Sequence, residues 1–392
     1  MAQWPLKDRA ALVGVGVSRF ERRSSRSNLA LAAEALRNAL DDAGLRKDDI
    51  DGLVTNIGWP LGVDYDRLAE ALGLELRFAD QTWTHGRFVG PTLQHAVMAV
   101  AAGLATYVAC LCVAAFSRLG MMGGPLDVEG ERQGGGSHGE TPHYGMTAPG
   151  AGAAMSMRIY FHRYGGGPEE LAAVPLAIRK HARLNPQAVM QKPMDMASYL
   201  AEPYIVEPLR RADFAIMSDG AACVIVTTAE RARDLRPRPV LVKGMQGLRA
   251  GREEFIFARP GLGAWQQRQP ELAPEDHLAY RMAGVTPADV DGLYVYDAFS
   301  PNVLFTLERF GFVAPGEALA WVQGGRIELG GELPVNTNGG LLSEAHVTGW
   351  NHIVEIVRQL RHACGERQVR DAAIMQWGTP FGDALIFGRE AG

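Results

Sequence analysis

Short continuous apolar runs alternate along this chain with longer stretches whose apolar residues recur every three or four positions. AALVGVGVSRF (Ala10 to Phe20) predicts a buried strand. Ser27 then predicts the cap of a helix presenting Leu29, Ala32, Ala33, Leu36 and Leu40 on one face and stopping at Gly44. IDGLVTN (Ile50 to Asn56) predicts the next strand, and the glycine turn THGRFVG leads into a helix carrying Leu93, Val97 and Val100. TYVACLCV follows as another buried strand. Strands alternating with helices at this spacing predict an α/β fold with a largely parallel sheet covered on both faces.

From Ala115 to about Pro203 the pattern breaks. GGGSHGETPHYGMTAPGAG is too polar for a core, and loops of such length usually form lids or binding surfaces. Within this insertion, AIRKHARLNP gathers Arg179, Lys180, His181 and Arg183. Such a cluster is most often a solvated helix face; the alternative is a phosphate contact. DGAACVIVTT (Asp219 to Thr228) returns to buried strand, and RARDLRPRP reads as a linker. The second half then repeats the first. KDDIDGLVTN (Lys47 to Asn56) parallels PADVDGLYVY (Pro287 to Tyr296), and each copy runs on through a glycine turn and an amphipathic helix into a buried strand, TYVACLCV or AAIMQW. The expected units are residues 1–230, with the insertion at about 115–205, and residues 231–392. Two such units packed together would place a site between them, near strand C-terminal ends.

The stretch NTNGGLLSEAHVTGWNH (Asn336 to His352) joins a polar turn, the Gly339-Gly340 pair, His346, and Gly349 at the start of an apolar-periodic helix. It reads either as a turn bringing His346 to the mouth of a site, with a helix N-terminus beyond it, or as a glycine turn before a core helix. Composition narrows the function. The 392 residues are 47% hydrophobic and 21% charged with a net charge of −5, which suits a soluble globular protein and argues against a general nucleic-acid binder. No apolar run is long enough to span a bilayer and the N-terminus lacks a signal-peptide core, so the expected location is cytoplasmic. Cys110, Cys112, Cys223 and Cys364 show no metal-ligand spacing, and no metal is expected.

Four segments carry a family resemblance: YDAFSPNVLFTLERFGF (Tyr296 to Phe312), NTNGGLLSEAHVTG (Asn336 to Gly349), RKHARLNP (Arg179 to Pro186) and WGTPFGDALIF (Trp377 to Phe387). Over nearly its whole length the chain resembles the thiolase superfamily, in its lipid-transfer-protein or sterol-carrier-type branch. The resemblance implies a duplicated five-layer αβαβα thiolase fold with an inserted loop domain, acyl-CoA thioester substrates, a homodimer, and no cofactor beyond the coenzyme A carried by the substrate. The Asn-Glu-Ala-Phe motif of thiolases matches Tyr296-Asp297-Ala298-Phe299, and their Gly-His motif matches Ala345-His346. Their nucleophilic cysteine matches Gly86, beside Thr84 and His85, and their acid/base cysteine matches about Gln376. Both sulfur positions are empty, and an alcohol at Thr84 has no evident activating base.

A thiolase cannot form its acyl-enzyme without that thiolate. The resemblance therefore narrows to the cysteine-free aldolases of steroid side-chain breakdown, which have tyrosines at the positions of Tyr296 and His346. It implies retro-aldol cleavage of a β-hydroxyacyl-CoA, with Tyr296 and His346 catalytic. The expected substrate contacts are His85, Gly86, Asp297, Phe299, Gly339, Gly340, Gln376 and Gly378, with Arg179, Lys180 and Arg183 at the CoA phosphates. The resemblance further implies a small OB-fold and zinc-ribbon partner forming a heterotetramer. A Claisen-type acyltransferase and a non-catalytic lipid or acyl-CoA carrier remain the alternatives.

Overall fold

The computed structural model describes residues 4–59, 61–82, 89–119, 149–249 and 273–390. The first half runs β1 (Ala10–Val17), α1 (Asn28–Ala43), β2 (Gly52–Thr55), α2 (Tyr65–Leu72), β3 (Phe78–Gln81), α3 (Val89–Ala101) and β4 (Val108–Ala115). The insertion supplies α4 (Pro149–Tyr164), α5 (Pro168–Leu171), α6 (Ala173–Arg183), α7 (Met196–Ala201) and a hairpin of β5 (Tyr204–Val206) and β6 (Leu209–Arg210). β7 (Asp219–Thr228) closes this half. The short α8 (Ala229–Ala232) begins the expected linker, which ends at β8 (Val240–Gln246). Then follow α9 (Leu278–Ala283), β9 (Gly292–Val295), α10 (Pro301–Arg309), α11 (Ala318–Trp321), α12 (Trp350–Leu360), β10 (Ile374–Gly378) and β11 (Ala384–Gly388).

Each anticipated strand forms, but the sheet is mixed rather than largely parallel. Its order is β3-β2-β4-β7-β1-β8-β11-β10-β9. β3, β2 and β4 are mutually parallel, as are β9 and β10; every other neighbouring pair is antiparallel. The reason lies in the connections. Crossovers through helices give the parallel pairs, whereas β10 returns to β11 through a turn too short to reverse direction twice. Among the described residues, the two halves meet in the sheet where Ala11 and Leu12 of β1 face Leu241 and Val240 of β8.

Three hydrophobic cores lie between the helices and the sheet. The first lies between α1, α2 and one sheet face; α3 and α12 fill the central one; the third lies under α9 and α10. The buried face of α1 is Leu31, Ala32, Ala35, Leu36, Ala39 and Leu40, while Ala33, expected inside, is exposed and Leu29 is half-buried. The helix is rolled so that Ala35 and Ala39 meet β1 at Gly16, where any added Cβ would lie 2.3 Å from the Ala35 carbonyl.

The repeat has a physical cause. Asp51 Oδ1 accepts from Thr106 and Tyr107 N–H at 2.7 and 2.9 Å, while Asp291 Oδ2 accepts from Ala373 and Ile374 N–H at 2.8 and 2.9 Å. Each aspartate thus caps the incoming end of its half's inner parallel strand. The insertion packs on the second half: Met157 and Tyr160 of α4 and Ile178 of α6 share a core with Leu293, Val303 and Leu304.

Candidate active site

The chain leaves β9 at Tyr296. The Tyr296 N–H donates to the Gly378 carbonyl at 3.3 Å, and Asn302 Nδ2 donates to the Tyr296 carbonyl at 3.0 Å, so the turn is gripped from β10 and from α10. Opposite it, the loop 336–349 is built almost wholly from buried polar contacts. Asn336 (φ 49°) accepts from Val295 N–H at 2.8 Å and donates to the Val295 carbonyl at 3.1 Å, imitating one more rung of sheet. Gly340–Glu344 then form one π-type turn, closed by Glu344 N–H on the Gly339 carbonyl at 3.0 Å. Wide turns of this kind are frequent at functional sites.

Two buried carboxyl groups hold that turn. Asp297 accepts from Leu341 N–H at 2.9 Å and, more weakly, from Leu342 N–H at 3.5 Å. Glu344 accepts from the amides of Asn185 and Asn351, each at 2.7 Å, and of Asn338. Burial raises Asp297 and Glu344 to about 7, far above the ordinary carboxylate range, although the donors around each pull the other way.

The turn delivers His346 to the ends of β4 and β9. Its N–H donates to Ser218 Oγ at 2.8 Å, and its ring stacks on Phe116 with centroids 4.1 Å apart and planes 9° apart. The Tyr296 ring lies 6.5 Å away. Burial pulls His346 down to about 3, so at neutral pH it is an uncharged imidazole with a lone pair available. Its Nε2 has no hydrogen-bond partner among the described residues. The arrangement can move a proton and hold a developing oxyanion, and it requires no covalent intermediate.

The other expected contacts divide. Gly339 and Gly340 do lie in the His346 loop; an added Cβ on Gly339 would meet Ala182 of α6 at 2.7 Å. Gly378 abuts Tyr296 through its carbonyl. Phe299 packs edge-on against Phe214 at 5.3 Å. Asp297 is a fully buried strut rather than a lining residue. Gln376 is also fully buried and accepts from Tyr280 O–H at 2.7 Å within the outer core; the neighbouring Trp377 faces the central one, because successive strand residues face opposite ways. His85 and Gly86, with Thr84, lie outside the described residues.

The basic cluster is split by the helix that carries it. Arg179 turns inward to Ser343 Oγ at 2.8 Å, and His181 accepts from Leu329 N–H at 2.9 Å with its other nitrogen 3.3 Å from the Asn336 carbonyl. Lys180 pairs with Glu328 at 2.5 Å on the outer face, and Arg183 is exposed. Arg179, His181 and Asn185 therefore brace the His346 loop, so the expected Arg179–Lys180–Arg183 phosphate cluster does not converge. Sequence reasoning missed Asn185, Glu344, Ser218, Phe116 and His352. The Asn-rich stretch before His346 was the available signal, since buried amides call for a shared acceptor.

All four cysteines are buried. Burial raises Cys112 to about 12 and pushes Cys110, Cys223 and Cys364 well up. Among the described residues no group of His, Cys, Asp and Glu is arranged to hold a metal ion, and no helix is long and apolar enough to cross a membrane.

Two duplicated α/β halves with a histidine loop facing a tyrosine turn define a thiolase-type fold. Human mitochondrial 3-ketoacyl-CoA thiolase shares that fold, with a TM-score of 0.67 at 14% identity over all of both chains. The family described as Thiolase C-terminal domain-like matches residues 273–381. The 17-hydroxy-3-oxo-4-pregnene-20-carboxyl-CoA lyase of Mycobacterium tuberculosis is 39% identical, covering 91% of this chain and 92% of its own. A steroid side-chain-cleaving aldolase of Thermomonospora curvata is 36% identical over 90% of each chain. The solved Ltp2-ChsH2(DUF35) aldolase superposes with a TM-score of 0.87 at 33% identity, covering 99% of this chain and all of that one. The chain belongs to the thiolase superfamily, in the branch of the steroid side-chain-cleaving aldolases.

Proposed function

We propose that this protein is a carbon–carbon lyase that cleaves a β-hydroxyacyl-CoA of steroid side-chain type by a retro-aldol reaction, with His346 and Tyr296 as its catalytic residues. The observation that carries this reading is a buried, uncharged His346 beside Tyr296 in a thiolase-type fold whose cysteines are all held as thiols in the core. The same observation argues against a Claisen acyltransferase, which needs a thiolate.

In the reaction the β-hydroxyl loses its proton as the Cα–Cβ bond breaks. The bond's electron pair moves to Cα and spreads onto the thioester oxygen as an enolate, leaving the β-carbon as a ketone or aldehyde. Cα then takes up a proton. One proton leaves oxygen and one arrives at carbon, so no cofactor or co-reactant is consumed; coenzyme A enters as part of the substrate. His346, with its lone pair available, accepts the hydroxyl proton. The Tyr296 O–H donates to the thioester oxygen, a contact that strengthens as the enolate forms.

The chain is expected to work as a homodimer with a small OB-fold and zinc-ribbon protein completing a heterotetramer, in the cytoplasm. The solved aldolase that it resembles is named as an assembly of two proteins, which supports a partner here.

The test is turnover of a β-hydroxyacyl-CoA to a carbonyl product and a shorter acyl-CoA, with and without that partner. Tyr296→Phe and His346→Ala should each lower kcat by roughly 10²–10⁴-fold, the usual scale for a positioned acid or base. Full activity in a folded His346→Ala variant would end the assignment.

A further inference from the structure

His346 lies face to face with Phe116, the first residue after β4. Strand alternation puts Cys110, Cys112, Ala114 and Phe116 on the side that lines the central core, while Ala109, Leu111 and Val113 line the outer one. Ala115 stands opposite Asp219 across the β4–β7 ladder, and the pairing runs one step further: Phe116 N–H donates to the Ser218 carbonyl at 3.2 Å. The Ser218 hydroxyl in turn accepts from His346 N–H at 2.8 Å. One fully buried serine thus ties the backbones of both ring-bearing residues, and the two rings stack 4.1 Å apart with planes 9° apart.

That stack matters once His346 carries a proton. Phe116 and His346 are 6% and 4% exposed, so water does little to solvate a charge there. Among the described residues the histidines that pair with carboxylates are His95 and His352, not His346, whose Nε2 also makes no hydrogen bond. A cation formed in such a site without compensation is costly. The face of an aromatic ring carries negative charge and attracts a cation within about 6 Å of its centre, most strongly where water is excluded. Phe116 meets that distance. The Tyr296 ring, 6.5 Å off and tilted by 48°, does not.

We propose that Phe116 is a positioning residue whose ring face holds the His346 imidazole and stabilises the imidazolium formed when His346 takes the β-hydroxyl proton. This rests on the assignment of His346 above and adds a residue that acts through it. In the step, the hydroxyl O–H breaks as an N–H forms on His346, and the ring stays a cation until that proton goes on to Cα. No oxidant or further reactant is consumed. The attraction between ring face and charge exists only while the imidazole is protonated, so the benefit falls on the rate and not on substrate binding. Ser218 supplies the alignment, since a Phe116 ring turned edge-on would present its positive rim to the cation.

The experiment is single-turnover cleavage of a β-hydroxyacyl-CoA by the complete assembly, with thermal melts on the same samples. Phe116→Leu keeps an apolar side chain but removes the ring. It should lower the chemical rate by roughly 10–30-fold, the scale of a desolvated cation–π contact, with substrate affinity little changed. A second set replaces Phe116 by phenylalanine carrying one, two or three ring fluorines, which withdraw charge from the face while nearly keeping its shape. The rate should fall stepwise along that set at constant melting temperature. A flat rate across the set overturns the proposal whatever Phe116→Leu does, because shape alone would then explain the leucine variant. A wild-type rate in folded Phe116→Leu overturns it too. If His346→Ala keeps its rate, the assignment of His346 has failed; if His346→Ala is slow and the fluorinated set is flat, the role of Phe116 alone has.

Discussion

Gly340→Ala isolates the contact that sets the His346 loop. Gly340 sits at φ +59°, and a Cβ there would lie 2.0 Å from Asp297 Oδ2, 2.9 Å from its Cγ and 3.2 Å from Asn336 Nδ2. The left-handed conformation costs a residue bearing a Cβ about 1–2 kcal/mol. The clash adds to this, since Asp297 is fully buried and cannot withdraw without giving up its N–H donors. Leaving a buried acceptor unsatisfied costs about 1–3 kcal/mol, giving a total of about 2–5 kcal/mol. Gly103→Ala is the control. Its φ is +73° and nothing lies within 4 Å of the added Cβ, so it should lose only the backbone cost of about 1–2 kcal/mol. Urea unfolding of wild type and both variants reads the difference directly, and turnover of the folded Gly340→Ala fraction should fall as the loop shifts. Equal stability of the two variants would refute the claim that Asp297 shapes the loop.

Two further outcomes follow from buried groups. Iodoacetamide should leave the activity of the native protein nearly intact, because every cysteine is buried with its thiolate disfavoured; rapid inactivation that tracks labelling of one cysteine would contradict this. Glu344→Gln should change how stability depends on pH. Glu344 holds its proton up to about 7 in the folded state, so its contribution is full below the ordinary carboxylate value and is lost as pH rises towards 7. His181 and His277 near 4, and His346 and His352 near 3, act in the opposite sense, and their contributions cancel in the difference between the two proteins. The stability advantage of wild type over Glu344→Gln should thus widen as pH falls from 7 towards about 4.5; a constant gap across that range would be inconsistent with a buried, protonated Glu344.

Much of the architecture is local and was legible. Apolar runs marked β1, β2, β4, β7, β9 and β10, and Ser27 and Gly44 marked both ends of α1, where Ser27 accepts from Ala30 N–H and Gly44 adopts φ 71°. The repeated Asp-Gly-Leu was legible because each Asp does one fixed job, capping the start of its half's inner strand. His346 and Tyr296 were nominated through family motifs rather than through spacing, and the fold sets their rings 6.5 Å apart. Strand direction was not visible, because it depends on which strands become neighbours across the sheet. The inward turn of Arg179 was hidden for the same reason: its partner Ser343 is 164 residues away, and a charged residue on a helix reads as solvent-facing until something distant satisfies it. Gln376 matched a catalytic position in sequence, yet strand alternation set its side chain in the outer core with Tyr280. His352 looked like one more polar residue at the start of a helix. Only the folding of β9 against α12 brought Asp297 to within 3.5 Å of it, a proximity across the fold that no local pattern encodes.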